Sequence, residues 1–284
     1  MKEFKGRVAL ITGAANGFGV EFVKEAAKRE MKIVAVDIEG DEVKAVAEEA
    51  RANGAEIIDI QADLTKYEEV ERVVNKTMEV YGQIDLLMCN AGIAIPRYIW
   101  EVPVRDWEWI MHINVLQHVY FMKLVIPIMR KQGTPCHICN TASVAGVITS
   151  NGMPAYHATK HAAVALAESV SMDLECVGAN IKMSVFCPGF IQTDLHHSER
   201  HRPEQYKDES DPYYTSPEYY MGQKTAERVI VTGKRVDFVG PRVFKAIEDE
   251  DFYILTDPLY TTIIGGRVTD MLAGKGPKLS NIRK

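Results

Sequence analysis

The residues best suited to chemistry lie between Ser143 and Lys160, around Tyr156-His157-Ala158-Thr159-Lys160. Tyr156 and Lys160 are spaced i, i+4, so a helix projects both side chains from one face, about one turn apart. Pro154 suits a first helical turn, and Ala162, Ala163, Val164, Leu166, Ala167 and Val170 continue it with helix-favouring residues. A phenol ordinarily loses its proton near pH ~10 and is a poor base at neutral pH. An ammonium held beside it favours the phenolate, and every tenfold gain in acidity corresponds to roughly 1.4 kcal/mol of preferential interaction. A tyrosine tuned in this way gives or takes the proton of a substrate hydroxyl. Ser143, on a polar turn upstream, is placed to hydrogen-bond the same oxygen. A Tyr and a Lys at this spacing also occur on ordinary surface helices, so the pair carries weight only in context.

That context is an alternation of elements. Short apolar runs at 7–12, 32–37, 56–60, 84–89, 137–140 and 181–187 read as buried strands. Helical patterns separate them at 20–29, 42–53 and 68–81, then at 104–130 with a disturbance near Pro127, then over the Tyr156 segment. This order predicts an α/β fold: a doubly wound, Rossmann-type parallel sheet with right-handed crossovers, in a single domain spanning 1–284. Thr12-Gly13, Asp37, Asp63, Asn90, Ser143 and Pro188-Gly189 then all fall at carboxyl ends of strands, the edge where such sheets bind ligands. Beyond Pro188 the alternation breaks. Residues 190–236 are polar and tyrosine-rich, and they read as a lid over the substrate with its own helix at 217–231. A helix at 242–248 and a strand at 252–255 follow. The tail at 265–284 lacks a clear period and suits subunit contacts or a loose end.

The turn after the first strand, Thr12-Gly13-Ala14-Ala15-Asn16-Gly17-Phe18-Gly19, links strand to helix. Gly13, Gly17 and Gly19 permit a tight turn and let backbone amides approach a pyrophosphate at the helix N-terminus. Asp37 is placed to accept the hydroxyls of an adenosine ribose. A 2′-phosphate there would meet a negative charge, and neither Ile38 nor Glu39 is basic, so NAD is favoured over NADP. Asp63 either reaches the adenine amine or caps the following helix.

Composition bounds the partners. The 284 residues carry a formal net charge of −6 and are 46% hydrophobic. This argues for a small-molecule substrate and against nucleic acid or an anionic membrane. No apolar run approaches the ~18–20 residues of a spanning helix, and a cytoplasmic protein is expected. Five cysteines in a chain of this length read as reduced thiols.

At this point the chain resembles the short-chain dehydrogenase/reductase superfamily over roughly residues 5–195. Thr12-Gly13 through Gly17-Phe18-Gly19 matches its nucleotide turn, with Phe18 where an aliphatic residue is usual. Asp63-Leu64 resembles its adenine-side motif, and Cys89-Asn90-Ala91-Gly92 its Asn-Asn-Ala-Gly motif with Cys in first place. Asn114, Ser143, Tyr156 and Lys160 stand where that family has its catalytic tetrad. Pro188-Gly189 through Thr193 resembles its nicotinamide-side loop. The resemblance implies that Tyr156 is the general acid/base and that Ser143 orients the substrate oxygen. Lys160 would lower the Tyr156 pKa and hold the nicotinamide ribose, and Asn114 would position a water in a proton relay. Ile191 and Thr193 would anchor the carboxamide. A homodimer or homotetramer is also implied, with segment 104–130 and the Tyr156 helix at an interface.

Other clusters invite metal chemistry. Cys136 and Cys139, three apart on a strand, point to opposite faces and cannot share a ligand. His157 and His161 are read as surface or subunit-contact residues, and His196, His197 and His201 as part of a solvated loop; no metal is expected. The substrate pocket is expected around Ile93, Tyr98, Val144, Met153, Phe190 and His196, which suits a bulky hydrophobic or cyclic alcohol or ketone. Two further functions stay open: a catalytically silent nucleotide-binding sensor, and an isomerase or dehydratase with tightly held NAD.

Overall fold

The apolar runs assemble into one sheet. A computed structural model describes residues 1–278. The strands are Val8–Thr12 (β1), Lys32–Asp37 (β2), Glu56–Gln61 (β3), Leu86–Cys89 (β4), Cys136–Thr141 (β5), Ile181–Cys187 (β6) and Tyr253–Leu255 (β7). They pair in the order β3-β2-β1-β4-β5-β6-β7, parallel throughout. Strand order reverses between β1 and β4, and that switch point opens a crevice at the carboxyl ends.

The helices are Gly17–Lys28 (α1), Gly40–Ala52 (α2), Tyr67–Tyr81 (α3), Val104–Met111 (α4), Gln117–Gln132 (α5), Pro154–Cys176 (α6), Pro217–Val231 (α7), Val239–Asp249 (α8) and Leu259–Leu272 (α9). Side chains alternate across a strand, so each strand feeds two cores. Leu10, Leu87 and Ile138 pack with Val73 of α3, Phe121 of α5 and Ala163 of α6. Ala9, Ile11, Leu86 and Met88 pack on the opposite face with Phe22 of α1, Ala47 of α2 and Phe244 of α8. Cys136 joins the first core and Cys139 the second, as the strand period requires.

Two elements differ from the sequence reading. The helix at 104–130 is disturbed not at Pro127, which sits on the exposed side of α5, but at a π-helical turn, His112–Leu116, between α4 and α5. The expected loose tail from 265 is helical to Leu272, as the end of α9. No residue of α9 is buried, so one-sided periodicity had nothing to report. The last part of that tail, 279–284, lies outside the described residues.

Between β6 and α8 the chain makes short 3₁₀ turns at Leu195–His201, Glu204–Tyr206 and Pro212–Thr215 before α7, which spans the expected residues. Its anchor is Arg202, buried and 4.3 Å from the centre of the Trp109 ring. Arg202 Nη1 donates to Asp106 Oδ1 at 2.6 Å, and its other guanidinium nitrogens donate to Glu199 at 2.7 Å. The Tyr214 hydroxyl donates to the same Asp106 oxygen at 2.6 Å. Removing one partner of a buried ion pair strands the other charge. Asp106→Ala should therefore cost close to the lower end of the roughly 3–5 kcal/mol typical of such breaks, Glu199 remaining as partner. Urea unfolding and tryptic cleavage within 195–231 read this out. A loss below about 0.5 kcal/mol, the range of ordinary surface changes, would contradict the anchor.

Candidate active site

The carboxyl ends of β1, β4 and β5 are laced together by three polar side chains. Thr12 Oγ1 accepts the Asn90 and Ala91 amides at 2.8 and 3.0 Å. Asn90 Nδ2 donates back to the carbonyls of Thr12 and Gly13 at 3.0 and 3.2 Å. Asn90 Oδ1 accepts from Thr141 Oγ1 at 3.2 Å. Cys89, at the place where the family pattern has Asn, is buried in the core, so Asn90 carries the bridge alone.

This lacing brings the Asn90-Ala91-Gly92 turn hard against the glycine turn. A Cβ on Gly13, whose φ is +65°, would lie 2.8 Å from Ala91 Cα, and one on Gly19 would lie 1.9 Å from the Gly13 carbonyl oxygen. Thr193 packs against Gly17, so the loop after β6 closes on the same turn. The Asn16 carbonyl accepts the Gly19 amide, while Phe18 meets Phe186 edge-on at 5.4 Å, a contact that accounts for the aromatic residue there. Asp37, at the end of β2, accepts the Ala15 amide at 3.0 Å and the Glu39 amide at 3.1 Å. Next along the chain, a cleft is lined by Ile38, Gln61, Ala62, Asp63, Lys66, Glu68 and Glu69, with Leu64 buried. Asp63 Oδ1 accepts from Thr65 N and Oγ1, so it closes the turn ahead of α3 and is not the residue before its first turn. The glycine turn at the start of α1 and the acid at the end of β2 are of the residue types that suit the pyrophosphate and ribose of a dinucleotide.

Beyond the glycine turn, Tyr156 and Lys160 leave the first turns of α6 on one face, both buried, with Lys160 Nζ 5.5 Å from the Tyr156 ring centre. Lys160 Nζ donates to the Thr141 carbonyl at 3.1 Å. Asn114, in the π-turn, accepts the Ile93 amide at 2.9 Å and donates to the Ile93 carbonyl and Thr159 Oγ1. Its Oδ1 and Lys160 Nζ both press on Gly92, where a Cβ would lie 3.1 and 3.4 Å from them. Ser143 caps the 3₁₀ turn Val144–Gly146, accepting the Ala145 amide, and stands 3.5 Å from the Pro188 carbonyl. Burial pushes the Tyr156 hydroxyl up to about 12, against the downward pull of Ser143, and pushes Lys160 down to about 8. Desolvation is the largest cause for both groups in the free protein.

Of the expected substrate contacts, Ile93 and Met153 join Tyr156 in an apolar cluster with Trp109, Ile110, Ala145 and Tyr206. Val144 is buried beside it. Tyr98 instead stacks outward on Trp100 at 4.9 Å, Phe190 is half exposed, and the His196 ring lies 3.9 Å from that of His197. Pro188, Gly189 and Ile191 form the loop after β6, where Ile191 is buried and bridges to Lys234. His157 is not a surface residue: it is buried, with partners on both ring nitrogens. Sequence reasoning also missed Trp109, Tyr206, Thr159 and Ser198, whose Oγ accepts the Ala94 amide at 3.0 Å. Their contacts with Arg202, His112, Asn114 and Ala94 reach far along the chain, which local spacing does not reveal.

Residues 7–204 match the family model of the short chain dehydrogenases. The chain belongs to the short-chain dehydrogenase/reductase superfamily. It is 50% identical over 277 residues to a CLA biosynthesis dehydrogenase/reductase of Lactiplantibacillus plantarum, covering 98% of this chain and 97% of that protein. It is 35% identical over 191 residues to a 1-deoxy-11-beta-hydroxypentalenate dehydrogenase of Streptomyces exfoliatus, covering 66% and 69% of the two chains. A short chain dehydrogenase/reductase from Burkholderia phymatum, solved in complex with NAD, superimposes with a TM-score of 0.94 at 34% identity over 98% of both chains. The fold and family are those of an oxidoreductase. Among the described residues no helix is long and apolar enough to cross a membrane.

The crowding at Gly19 is with backbone, which cannot swing aside. Gly19→Ala should weaken NADH binding, followed by cofactor fluorescence, by at least about tenfold, or ~1.4 kcal/mol. Unchanged affinity in a folded variant would remove the glycine turn from the binding site.

Proposed function

We propose that the protein is an NAD-dependent dehydrogenase/ketoreductase acting on a secondary alcohol or ketone, a bulky hydrophobic or cyclic one, with residues 190–236 as the lid over it. The observation that carries this reading is the buried Tyr156–Lys160 pair with Ser143 beside it, at the same sheet edge as the glycine turn and Asp37. NAD, when bound, accepts the hydride of the carbinol carbon in oxidation and returns it in reduction. Tyr156 exchanges the proton of the substrate hydroxyl, and Ser143 donates a hydrogen bond to the same oxygen. Lys160 holds the nicotinamide ribose, and Asn114 positions a water for proton exchange with solvent. Gly13, Asn16, Gly17, Phe18 and Gly19 cradle the pyrophosphate; Pro188, Gly189, Ile191 and Thr193 orient the carboxamide. Asp37 and Ile38 receive the adenosine ribose, Asp63 and Leu64 the adenine, and Asn90, Ala91 and Gly92 the turn between the two halves.

Asp37, followed by Ile38 and Glu39, disfavours a 2′-phosphate, which supports NAD over NADP; the Burkholderia relative bound to NAD agrees. The apolar cluster of Ile93, Met153, Trp109 and Tyr206 around Tyr156 supports a hydrophobic substrate. The Streptomyces relative's name, a hydroxypentalenate dehydrogenase, agrees with an alcohol. Exposed Met172 on α6 and Leu259, Met271 and Leu272 on α9 support a homodimer or homotetramer. The five free thiols agree with a cytoplasmic enzyme.

The test is NADH absorbance with ricinoleate, testosterone, cyclohexanol and glycerol phosphate as alcohols, each with NAD and NADP. The expected result is preference for a hydrophobic alcohol and for NAD. Tyr156→Phe should lose at least about 100-fold in kcat, the scale of a positioned acid/base, while keeping NADH affinity. Preference for glycerol phosphate would overturn the substrate class, and near-native turnover by Tyr156→Phe would overturn the mechanism.

A further inference from the structure

His157 follows Tyr156 on α6, is buried, and has a role that neither the family motif nor the proposed chemistry uses. Its Nε2 lies 3.0 Å from the Ser150 amide nitrogen and 3.0 Å from Ser150 Oγ. A backbone N–H can only donate, so Nε2 is an acceptor and bears no proton. The imidazole is therefore neutral with its hydrogen on Nδ1, which donates to the Ala145 carbonyl at 3.0 Å. Burial agrees, holding the His157 pKa below the ordinary histidine value. The loop it grips, Val144 to Ser150, carries no ionisable side chain. His161, on the same helix, bonds the His157 carbonyl through Nδ1 at 2.9 Å and has Arg267 of α9 at 3.4 Å from its Nε2.

Ala145 is the link to the chemistry. Its carbonyl is held by His157 and its amide donates to Ser143 Oγ at 3.1 Å. A serine hydroxyl has two lone pairs and one hydrogen. One lone pair is fixed by the Ala145 amide, and the hydrogen faces the Pro188 carbonyl across a long 3.5 Å contact, so the hydroxyl has few directions left. The turn packs closely on α6, where a Cβ on Gly146 would lie 2.5 Å from the Lys160 carbonyl oxygen. Resting on the proposed roles of Ser143 and Tyr156, we infer that His157 is a positioning residue for the Ser143 hydroxyl, acting through the Ala145 backbone. It locks the serine loop to the same helix that carries Tyr156 and Lys160, so the groups on both sides of the substrate oxygen share one frame. The alternative is a plain structural clamp, in which His157 matters for stability and not for Ser143.

Two polar replacements separate these roles. Asparagine is short and sets its amide nitrogen near the Nδ1 position, keeping the bond to Ala145. Glutamine is longer and reaches the Nε2 position, keeping Ser150 and losing Ala145. Both are measured alone and with Ser143→Ala, using as probe the alcohol of the panel above with the highest kcat/KM. His157→Gln should lower kcat by at least about tenfold, while His157→Asn stays within about threefold. NADH affinity should be the same in all variants. In the Ser143→Ala background His157→Gln should cost less than about twofold, since a group acting through Ser143 has nothing left to position. Additive losses, equal losses in the Asn and Gln variants, or native kcat in His157→Gln would overturn the inference. Native kcat in Ser143→Ala alone would instead overturn the site reading beneath it.

Discussion

Everything at the site depends on keeping a lysine ammonium and a phenol next to each other out of water. Among the described residues Lys160 has one acceptor, the Thr141 carbonyl, and Tyr156 lies in an apolar cluster with Tyr206 and Leu195. Burial disfavours the charged form of each, which is why the lysine falls to about 8 and the phenol climbs to about 12. Burial thus favours the protonated phenol of Tyr156 in the free protein. The oxidised nicotinamide ring that the proposed reaction brings is a further cation that would favour the phenolate. On the proposed reaction, formation of the phenolate and binding of the oxidised cofactor would favour each other.

The scaffold serves that constraint by rigidity. Thr12, Asn90 and Thr141 knit three strand ends, and the Thr141 carbonyl that holds Lys160 belongs to the residue whose hydroxyl reaches Asn90. The π-turn at His112–Leu116 widens the helix just where Asn114 turns inward to both backbone groups of Ile93. Such local irregularities are frequent at functional sites, where a regular helix would aim the side chain elsewhere. The segment after β6 has a separate anchor in the Arg202–Asp106 pair and also touches the turn after β3, where Gln205 donates to Thr65 Oγ1 at 3.0 Å.

What could be read in advance was what local spacing encodes. The strand–helix alternation, the glycine turn, the one-faced Tyr156–Lys160 pair and the opposed Cys136 and Cys139 all follow from periods of 3.6 and 2. Features built from distant partners were hidden. The resemblance named Asn114 but not its partners, Ile93 and Thr159, 21 and 45 residues away, and Arg202 meets Asp106 across 96. His157 reads as a surface residue because its partners sit on a loop that folds back over it. Pro127 stands out as a breaker although its missing N–H lies on the exposed side of α5. Tyr98 and Trp100 suit a pocket by composition, yet stacking on each other satisfies them at the surface.

The most direct test of the central claim is the ionisation of Tyr156 itself, followed by the ¹³Cζ resonance of labelled tyrosine and assigned by its absence in Tyr156→Phe. Without cofactor the resonance should stay that of a neutral phenol across the alkaline range in which the protein remains folded. With NAD bound its titration midpoint should fall by at least about one pH unit, or ~1.4 kcal/mol of preferential interaction with the phenolate. A midpoint near neutrality in the free protein, or one that the oxidised cofactor leaves unmoved, would contradict the account.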